Sequence, residues 1–236
     1  MLGMRSARSM LVAAVAALAV AVPGVAIAQS AQPAASSASA PVAKRFNTWF
    51  VFQFDHTRGY GTPTVVRGQI AYRTGGHAAS VPGGKRVKLF RKMAGTSTWR
   101  PLGHQRTGDK GRFAFKVRSK GNATYRVVFR GNKTFQPARG KTAVSVYRHF
   151  EAQLEDVSGR FHGRVIPGYA HKRLFLEKRP CADCGWHRAR SKITGRHGRF
   201  HFTVGAPTSG RYWWRLRTPA DTRFITSYSA VFSTAR

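Results

Sequence analysis

The sequence predicts an all-β chain that contains two tandem β-sandwiches, and three observations support this prediction. Apolar residues alternate with polar residues over short runs, clusters of turn-forming residues separate the runs, and one long segment occurs twice. Alternation with a period of two is the pattern of a strand that buries one face. Beyond residue 44, no window shows the period of 3.6 residues that marks an amphipathic helix.

The repeat aligns residues 85–117 with residues 172–204 without a gap. We also align Gly68, in the sequence Gly-Gln-Ile, with Gly163, in the sequence Gly-Arg-Val. So many identities at aromatic and glycine positions are not expected by chance, and the chain therefore holds two copies of one unit. The aligned pairs are Lys85 and Lys172, Arg86 and Arg173, Leu89 and Leu176, Trp99 and Trp186, Thr107 and Thr194, Phe113 and Phe200, Phe115 and Phe202, and Tyr125 and Tyr212.

Short alternating runs define the strands within each copy. In copy one, residues 113–117 and 125–129 alternate, and in copy two residues 200–204 and 212–216 repeat the pattern. Clusters rich in glycine separate these runs and supply the positive φ angles of tight turns. Strands at this spacing predict two β-sandwiches, and residues 45–55 start copy one as an edge strand or an extra β-segment.

The order of motifs resembles the tandem immunoglobulin-like, fibronectin-III-like repeats of secreted bacterial proteins. Copy one carries the residues of their T-D-x-G-x-F-x-F motif as Thr107, Asp109, Gly111, Phe113 and Phe115, with Gly108 between the first two. Copy two departs from the pattern, with Arg196 where Asp109 stands and Trp213 where Arg126 stands. The resemblance covers residues 61–236 and implies an immunoglobulin-like fold and an extracellular, non-catalytic setting. It implies no particular ligand, because one sandwich fold serves many functions.

The first part of the chain has the features of an export signal. Two arginines precede an apolar run at residues 10–22, and Ala-Ile-Ala at residues 26–28 suits cleavage after Ala28. An uncleaved anchor stays open as the alternative. We therefore expect a secreted or surface-associated protein. The predicted domains are a signal peptide at residues 1–28, a disordered Ala/Ser/Pro linker at 29–44, and sandwiches at 45–148 and 149–236.

The two cysteines, Cys181 and Cys184, have the spacing of a redox dithiol or of half a zinc site. In the alignment they fall on Ala94 and Ser97, so copy one builds the same turn without cysteine. We predict that they form a disulfide with each other at the tip of a hairpin. A redox-active pair and a metal site stay open as alternatives, but neither the helix start nor the four ligands that they need is predicted.

Acid–base chemistry has few candidate residues in this chain. There are 8 acidic residues in all, and only Glu155 and Asp156 are adjacent. No nucleophile elbow, zinc-protease motif or calcium-binding loop occurs. We therefore expect no enzymatic activity, no catalytic residues, no cofactor and no bound metal.

Charge is the strongest functional signal. The formal net charge is +33, and removal of the signal peptide leaves 39 basic residues against 8 acidic ones, a net charge of +31. Such a surface attracts anionic cell-wall polymers, acidic glycans or a membrane surface, although the charge can also reflect composition alone. No motif for specific nucleic-acid recognition is present, and the sequence does not define the oligomeric state. The candidate polyanion-binding residues are Lys85, Arg86, Lys88, Arg173, Arg188, Arg190, Arg215 and Arg217.

Trp213 is the candidate stacking residue. Alternation places its neighbours Tyr212 and Trp214 in the core and leaves Trp213 facing outward beside arginines, or covering the interface between the copies. Trp99 and Trp186 are expected to pack in the core or at strand edges. The predicted function is that of an exported, non-enzymatic module with a structural or binding role in the cell envelope, which contacts anionic polymers through its basic surface. A lectin-like module that uses Trp213 and a C-x-x-C oxidoreductase are the alternatives.

Overall fold

The computed structural model describes residues 44–53, 56–155 and 158–236. The predicted signal peptide and all but the last residue of the predicted linker lie outside the described residues. Residues Val42–Arg236 form one compact unit. In the described part of the chain, no helix is long and apolar enough to cross a membrane.

The N-terminal half is built from nine strands in two sheets. One sheet has the order β1-β3-β4 with β7 also paired to β3, and the other has the order β2-β9-β8-β5-β6. All pairs are antiparallel except β2 with β9. The strands are β1 (Thr48–Phe52), β2 (Thr57–Gly59), β3 (Pro63–Thr74), β4 (His77–Ser80), β5 (Arg86–Met93), β6 (Arg100–Arg106), β7 (Arg112–Arg118), β8 (Ala123–Phe129) and β9 (Ala138–Tyr147).

The C-terminal half repeats this plan with eight strands. One sheet has the order β10-β11-β14 and the other the order β13-β12-β15-β16, with β17 also paired to β15. The strands are β10 (His149–Glu155), β11 (Arg160–Ile166), β12 (Arg173–Arg179), β13 (His187–Ile193), β14 (Arg199–Thr203), β15 (Arg211–Thr218), β16 (Ser227–Tyr228) and β17 (Phe232–Ala235).

The strand order identifies the fold class. In the C-terminal half, the first, second and fifth strands share one sheet, and the third, sixth and last strands share the other, which the fourth strand extends. Immunoglobulin-like sandwiches distribute their strands in this way. The predicted all-β, immunoglobulin-like fold is therefore confirmed. Within the predicted segment at residues 45–55, the strand β1 covers Thr48–Phe52, lies at the edge of its sheet and pairs with β3, whereas residues 54 and 55 lie outside the described residues.

The repeat extends to the register of the strands. The pairing of β5 with β6 shifts by one residue after Leu89, and that of β12 with β13 shifts after Leu176, which is the aligned position. The alignment of Tyr125 with Tyr212 is wrong by two residues. Tyr125 lies opposite Arg91 on β5, and Trp214 lies opposite Lys178, the residue aligned with Arg91. The longer connection between β14 and β15 causes the shift, because it displaces β15 by two positions along β12.

The paired glycines Gly68 and Gly163 are explained by close backbone contact. A Cβ atom on Gly68 would lie 2.3 Å from the carbonyl oxygen of Val51, and one on Gly163 would lie 2.0 Å from that of Glu151. In both halves the first strand therefore packs against a position that has no room for a side chain.

Each half encloses its own cluster of buried apolar side chains, but one residue crosses between the halves. Phe224 lies in the loop at residues 219–226, between β15 and β16, and it packs in the core of the N-terminal half with 4% of its surface exposed. Backbone hydrogen bonds fix this loop, because the N–H of Asn122 donates to Arg223 at 2.7 Å and that of Ile225 donates to Val146 at 2.9 Å. The predicted boundary between residues 148 and 149 stays a prediction, and the junction around it is tightly packed.

Arg148 lies at the centre of this junction. It is 2% exposed, its guanidinium stacks on Phe224 at 4.2 Å and on Tyr169 at 4.8 Å, and it donates to the Asp221 carboxylate at 2.5 Å. Burial acts to raise the pKa of Asp221, but hydrogen bonds from Arg148, Arg223 and Phe224 and the charge of Arg148 together outweigh it, so the pKa lies below its ordinary value. The buried cation is thus paired with a carboxylate that stays ionised.

Candidate anion-binding surface

The outer face of the β2-β9-β8-β5-β6 sheet carries a group of cations on adjacent strands. Lys88 on β5 lies opposite Val128 on β8, and Val128 lies opposite Arg139 on β9. One row along, Arg126 on β8 lies opposite Lys141 on β9. We call this surface the N-terminal front face, and its members are Arg86, Lys88, Phe90, Trp99, Arg126, Arg139 and Lys141.

Two adjoining clefts at one end of this face bring the predicted residues Lys85, Arg86 and Lys88 together. One cleft has a volume of about 390 Å³ and is lined by all three, and the other, of about 520 Å³, also contains Lys88. The cations that line these clefts and that sequence reasoning missed are Arg126, Arg130 and Arg139. The alternation in β8 and β9 indicates that Arg126 and Arg139 face outward, but only the register of the strands places these two residues beside Lys88.

Acidic residues are scarce around this face. Six of the 8 acidic residues fall within the described ranges, and none of these six has its side chain on the N-terminal front face. Asp109 lies in the turn between β6 and β7, and the other five belong to the C-terminal half. The cations of this face therefore have no carboxylate partner from the described residues.

The equivalent sheet of the C-terminal half has a different charge balance. On its outer face, Glu177 on β12 lies opposite Arg215 on β15, and its carboxylate accepts from Arg215 at 2.8 Å and from Arg217 at 2.5 Å. Glu177 is 7% exposed. We call this surface the C-terminal front face, and its members are Phe175, Glu177, Arg179, Trp186, Arg188, Trp213, Arg215 and Arg217. Two of the predicted anion-binding arginines are thus already paired with a carboxylate.

A tryptophan stacked on an arginine occurs on both front faces. The ring of Trp99 lies 4.3 Å from the guanidinium of Arg126, and the ring of Trp186 lies 4.3 Å from that of Arg215. Both indoles are half-buried outside the cores. Of the two expected positions, core and strand edge, the structure places both at the second, where they cover cations at the start of the edge strands β6 and β13.

Trp213 lies on the outer face, as the alternation predicts, and is half-buried. It is opposite Arg179 on β12, whose guanidinium lies 5.3 Å from the indole ring. The strand places it at the end of β15 away from the loop at residues 219–226 that joins the halves. The alternative that Trp213 covers the interface between the copies is therefore wrong.

The remaining predicted cations do not form one cluster. Arg188 lies opposite Glu177 and close to the ring of Phe175 at 5.9 Å, so it belongs to the C-terminal front face. Arg190 lies opposite Leu176, whose side chain is in the core. The Arg190 side chain therefore lies on the same side of the sheet as Leu176, away from the C-terminal front face. Arg173, at the start of β12, is exposed and lies 3.5 Å from the hydroxyl of Ser191.

Cys181 and Cys184 lie at disulfide distance, with their sulfur atoms 1.99 Å apart, as predicted. They occupy an exposed turn between β12 and β13 rather than the start of a helix. In copy one the aligned turn contacts the loop between β15 and β16, because Gly95 lies against Thr222. Among the described residues, no group of three or more His, Cys, Asp or Glu side chains is arranged to hold a metal ion.

Loss of the disulfide is expected to have a small effect. The bond closes a very short loop, for which the chain-entropy estimate is about 2 kcal/mol. We expect the Cys181→Ser, Cys184→Ser variant to lose no more than this in free energy of unfolding and to keep its β-sheet circular dichroism spectrum. A variant that fails to fold would show that this turn organises the C-terminal half.

Comparisons with known proteins give only weak similarities. No protein-family model matches the chain, and no curated protein matches it. Among solved structures, the human OSCAR ligand-binding domain is 17% identical, with 80% of this chain and 99% of that chain covered and a TM-score of 0.28. The D0-D1 domain of intimin is 8% identical, with 80% and 97% covered and a TM-score of 0.27.

A superoxide reductase (neelaredoxin) from Ignicoccus hospitalis is also similar, at 12% identity. The match covers 44% of this chain and 82% of the reductase chain, with a TM-score of 0.33. Similarities at these TM-scores carry no argument about function. The assignment of the fold therefore rests on the order and register of the strands.

Proposed function

We propose that this chain is an exported, non-enzymatic module that binds anionic polymers of the cell envelope through the N-terminal front face. The observation that carries the proposal is the group of cations on adjacent strands without a carboxylate among the described residues of that face. Cations without counter-charges on a shared surface create a positive potential that attracts polyanions.

The contrast between the two front faces supports this choice. Glu177 occupies the position aligned with Phe90, so the C-terminal face holds a carboxylate where the N-terminal face holds an aromatic ring. Arg126 on the N-terminal face stacks on Phe90 at 5.2 Å and on Trp99. Stacking orients a guanidinium without neutralising it, whereas an ion pair with Glu177 reduces its attraction for another anion.

Heparin affinity tests the proposal. We expect the Arg86→Gln, Lys88→Gln, Arg139→Gln variant to elute from heparin at clearly lower salt than the unaltered mature protein. The slope of the logarithm of the binding constant against the logarithm of salt concentration should also become shallower by about two units. The reason is that the variant makes fewer contacts with the polyanion and therefore releases fewer counterions on binding.

A matched control separates the face from the total charge. The Arg112→Gln, Lys116→Gln, Arg118→Gln variant removes the same charge from β7, in the opposite sheet. It should bind heparin within about twofold of the unaltered protein. Equal losses in both variants would show that net charge alone is responsible, and the proposed face would be wrong.

The lectin-like alternative depends on Trp213. The stacking of Arg179 against this indole leaves less of the ring for a sugar. If sugar stacking were the function, binding to envelope polysaccharide would survive high salt and would be lost on Trp213→Ala.

A further inference from the structure

Both halves contain a cleft at the same place, beside the strand that follows a short 3₁₀ helix. The helices are Asp109–Gly111, before β7, and Arg196–Gly198, before β14. In the C-terminal half, β10, β11 and β14 form its floor, and the end of β13 forms one wall. Its volume is about 880 Å³, and the equivalent cleft of the N-terminal half has about 580 Å³. We call them the C-terminal and N-terminal lateral clefts. None of the residues that line the two lateral clefts belongs to either front face.

Basic side chains from three strands line the C-terminal lateral cleft. His162 on β11 lies directly opposite His201 on β14, and Arg164 lies directly opposite Arg199 in the next row. Lys192 reaches in from β13, with Nζ 3.0 Å from His201 Nε2 and 3.4 Å from the His201 carbonyl oxygen. Arg160 also lines the cleft.

This arrangement places like charges against one another. Two arginines that face each other across neighbouring strands destabilise the sheet, because their Cβ atoms lie only about 5 Å apart. Glu151 on β10 partly compensates Arg164, and that hydrogen bond lowers the pKa of the Glu151 carboxyl. No carboxylate in the described part of the chain pairs with Arg199 or with Lys192.

His162 gives a further sign of an incomplete site. Its Nδ1 atom is buried and makes no hydrogen bond within the described residues. The Glu155 Oε1 atom lies 3.4 Å from it but makes no hydrogen bond with it. A buried polar atom without a hydrogen bond is costly, and a bound anion near it can supply the missing acceptor when the ring is protonated at this atom.

The N-terminal lateral cleft serves as an internal comparison. It is built from the same strands in the same register, since Gly68 lies opposite Phe113 as Gly163 lies opposite Phe200. At the positions of Arg164, Lys192 and His201, however, it has uncharged residues. These residues are Gln69, Gln105 and Ala114.

The difference in chemistry changes how the cleft is closed. The Gln105 amide, in the orientation that satisfies both of its polar groups, bonds the N–H and the carbonyl oxygen of Ala114 at 2.9 Å. The uncharged Gln105 side chain thus links β6 to β7 by hydrogen bonds, whereas Lys192 places a positive charge at the equivalent position of the C-terminal half. Arg112 remains at the position of Arg199, and Arg67 stands at the position of His162. Because the first copy builds the fold with neutral residues at the other two charged positions, Arg164 and Lys192 are not required by the sandwich.

We infer that the C-terminal lateral cleft binds a tetrahedral oxyanion, a sulfate or phosphate group, with Arg164, Lys192 and Arg199 as its charged donors. Donors that arrive from three strands suit an anion with oxygen atoms on several sides, whereas a carboxylate presents only two. Charge-assisted hydrogen bonds from these groups would offset the repulsion between them. The inference goes beyond the proposed function, because this cleft and the N-terminal front face lie in different halves of the chain.

A titration with inorganic sulfate tests the inference. The mature protein carrying the Arg86→Gln, Lys88→Gln, Arg139→Gln changes is used, so that the front face does not contribute. Sodium sulfate replaces sodium chloride at constant ionic strength, and NMR follows the ring signals of His162 and His201. We expect saturable shifts of both rings, with sodium acetate binding at least tenfold more weakly.

A variant with the composition of the first copy supplies the decisive comparison. Arg164→Gln, Lys192→Gln and His201→Ala together should weaken sulfate binding at least tenfold, as read from the His162 signals, because two charge-assisted hydrogen bonds are lost. The matched control carries Arg173→Gln, Arg188→Gln and His187→Ala. It should bind sulfate within about twofold of the parent.

Three outcomes would overturn the inference: the absence of saturable shifts, equal affinity in the first-copy variant, or equal losses in variant and control. A thermal unfolding curve for each variant shows whether the fold is retained. If the triple variant unfolds, Lys192→Gln alone replaces it, and this single change should weaken sulfate binding about tenfold.

A second titration distinguishes the two sources of the anion, a polymer and a free ion. A sulfated oligosaccharide should compete with sulfate and bind more tightly if the ligand is a polymer, and no more tightly if it is a free ion.

Discussion

Replacement of Phe224 by alanine is expected to lower the free energy of unfolding by about 3–5 kcal/mol. The side chain belongs to the C-terminal half but is buried in the core of the N-terminal half, so its removal leaves a cavity there. It also removes the ring on which the Arg148 guanidinium stacks at 4.2 Å. Guanidinium-induced unfolding, followed by tryptophan fluorescence, measures the change.

Tyr228→Ala is the matched control for this prediction. Tyr228 follows the same loop, is also aromatic and is 47% exposed, with a single stacking contact to Arg215 at 4.2 Å. Its loss should cost less than about 1 kcal/mol. If Phe224→Ala cost no more than Tyr228→Ala, the two halves would not share a core.

The second large effect is expected at Glu177. Glu177→Gln removes the charge that pairs with Arg215 and Arg217 and leaves two guanidinium groups close together. Loss of one partner from a buried ion pair costs about 3–5 kcal/mol, and the partial exposure of both arginines reduces the expected value to about 2–3 kcal/mol. The same change frees the two arginines and should raise the salt concentration at which the protein leaves heparin.

Glu177→Phe is the informative companion, because Phe90 occupies the aligned position in the first copy and stacks with Arg126 at 5.2 Å. The aromatic ring should restore part of the stability that Glu177→Gln loses, while the gain in heparin affinity remains. If both variants bound heparin as the unaltered protein does, the pairing of Glu177 would not limit the C-terminal front face.

Much of the fold follows from local patterns in the sequence. Alternation at residues 113–117 and 200–204 predicts the strands, and the aligned Gly68 and Gly163 predict equivalent positions in both copies, which the register confirms. These features depend on neighbours in the chain and on backbone geometry. They are therefore readable without knowledge of distant contacts.

The alignment fails where a loop changes length. Tyr125 and Tyr212 share an offset in the sequence, but in the structure Trp214 takes the place of Tyr125. A change of two residues preserves the alternation of buried and exposed positions, so the pattern carries no trace of the shift. Only the pairing with β12 reveals which aromatic ring fills the core.

The candidate site was predictable in part. The sequence indicates that Lys88 and Arg215 face outward, but it does not show that Glu177 neutralises Arg215 or that Lys88 shares a face with Arg139. Both relations join residues that are about 40 to 50 positions apart in the chain, and they depend on which strands are neighbours.

By itself, the sequence determined the all-β class, the repeat, the pairing of the two cysteines and the excess of positive charge. The tertiary structure decided which of those charges remain without a carboxylate, where the lateral clefts lie and how Phe224 joins the halves. The physical reason is that strand formation is governed by the local alternation of side chains, whereas the field at a surface is the sum of charges that only the register of the sheets brings together.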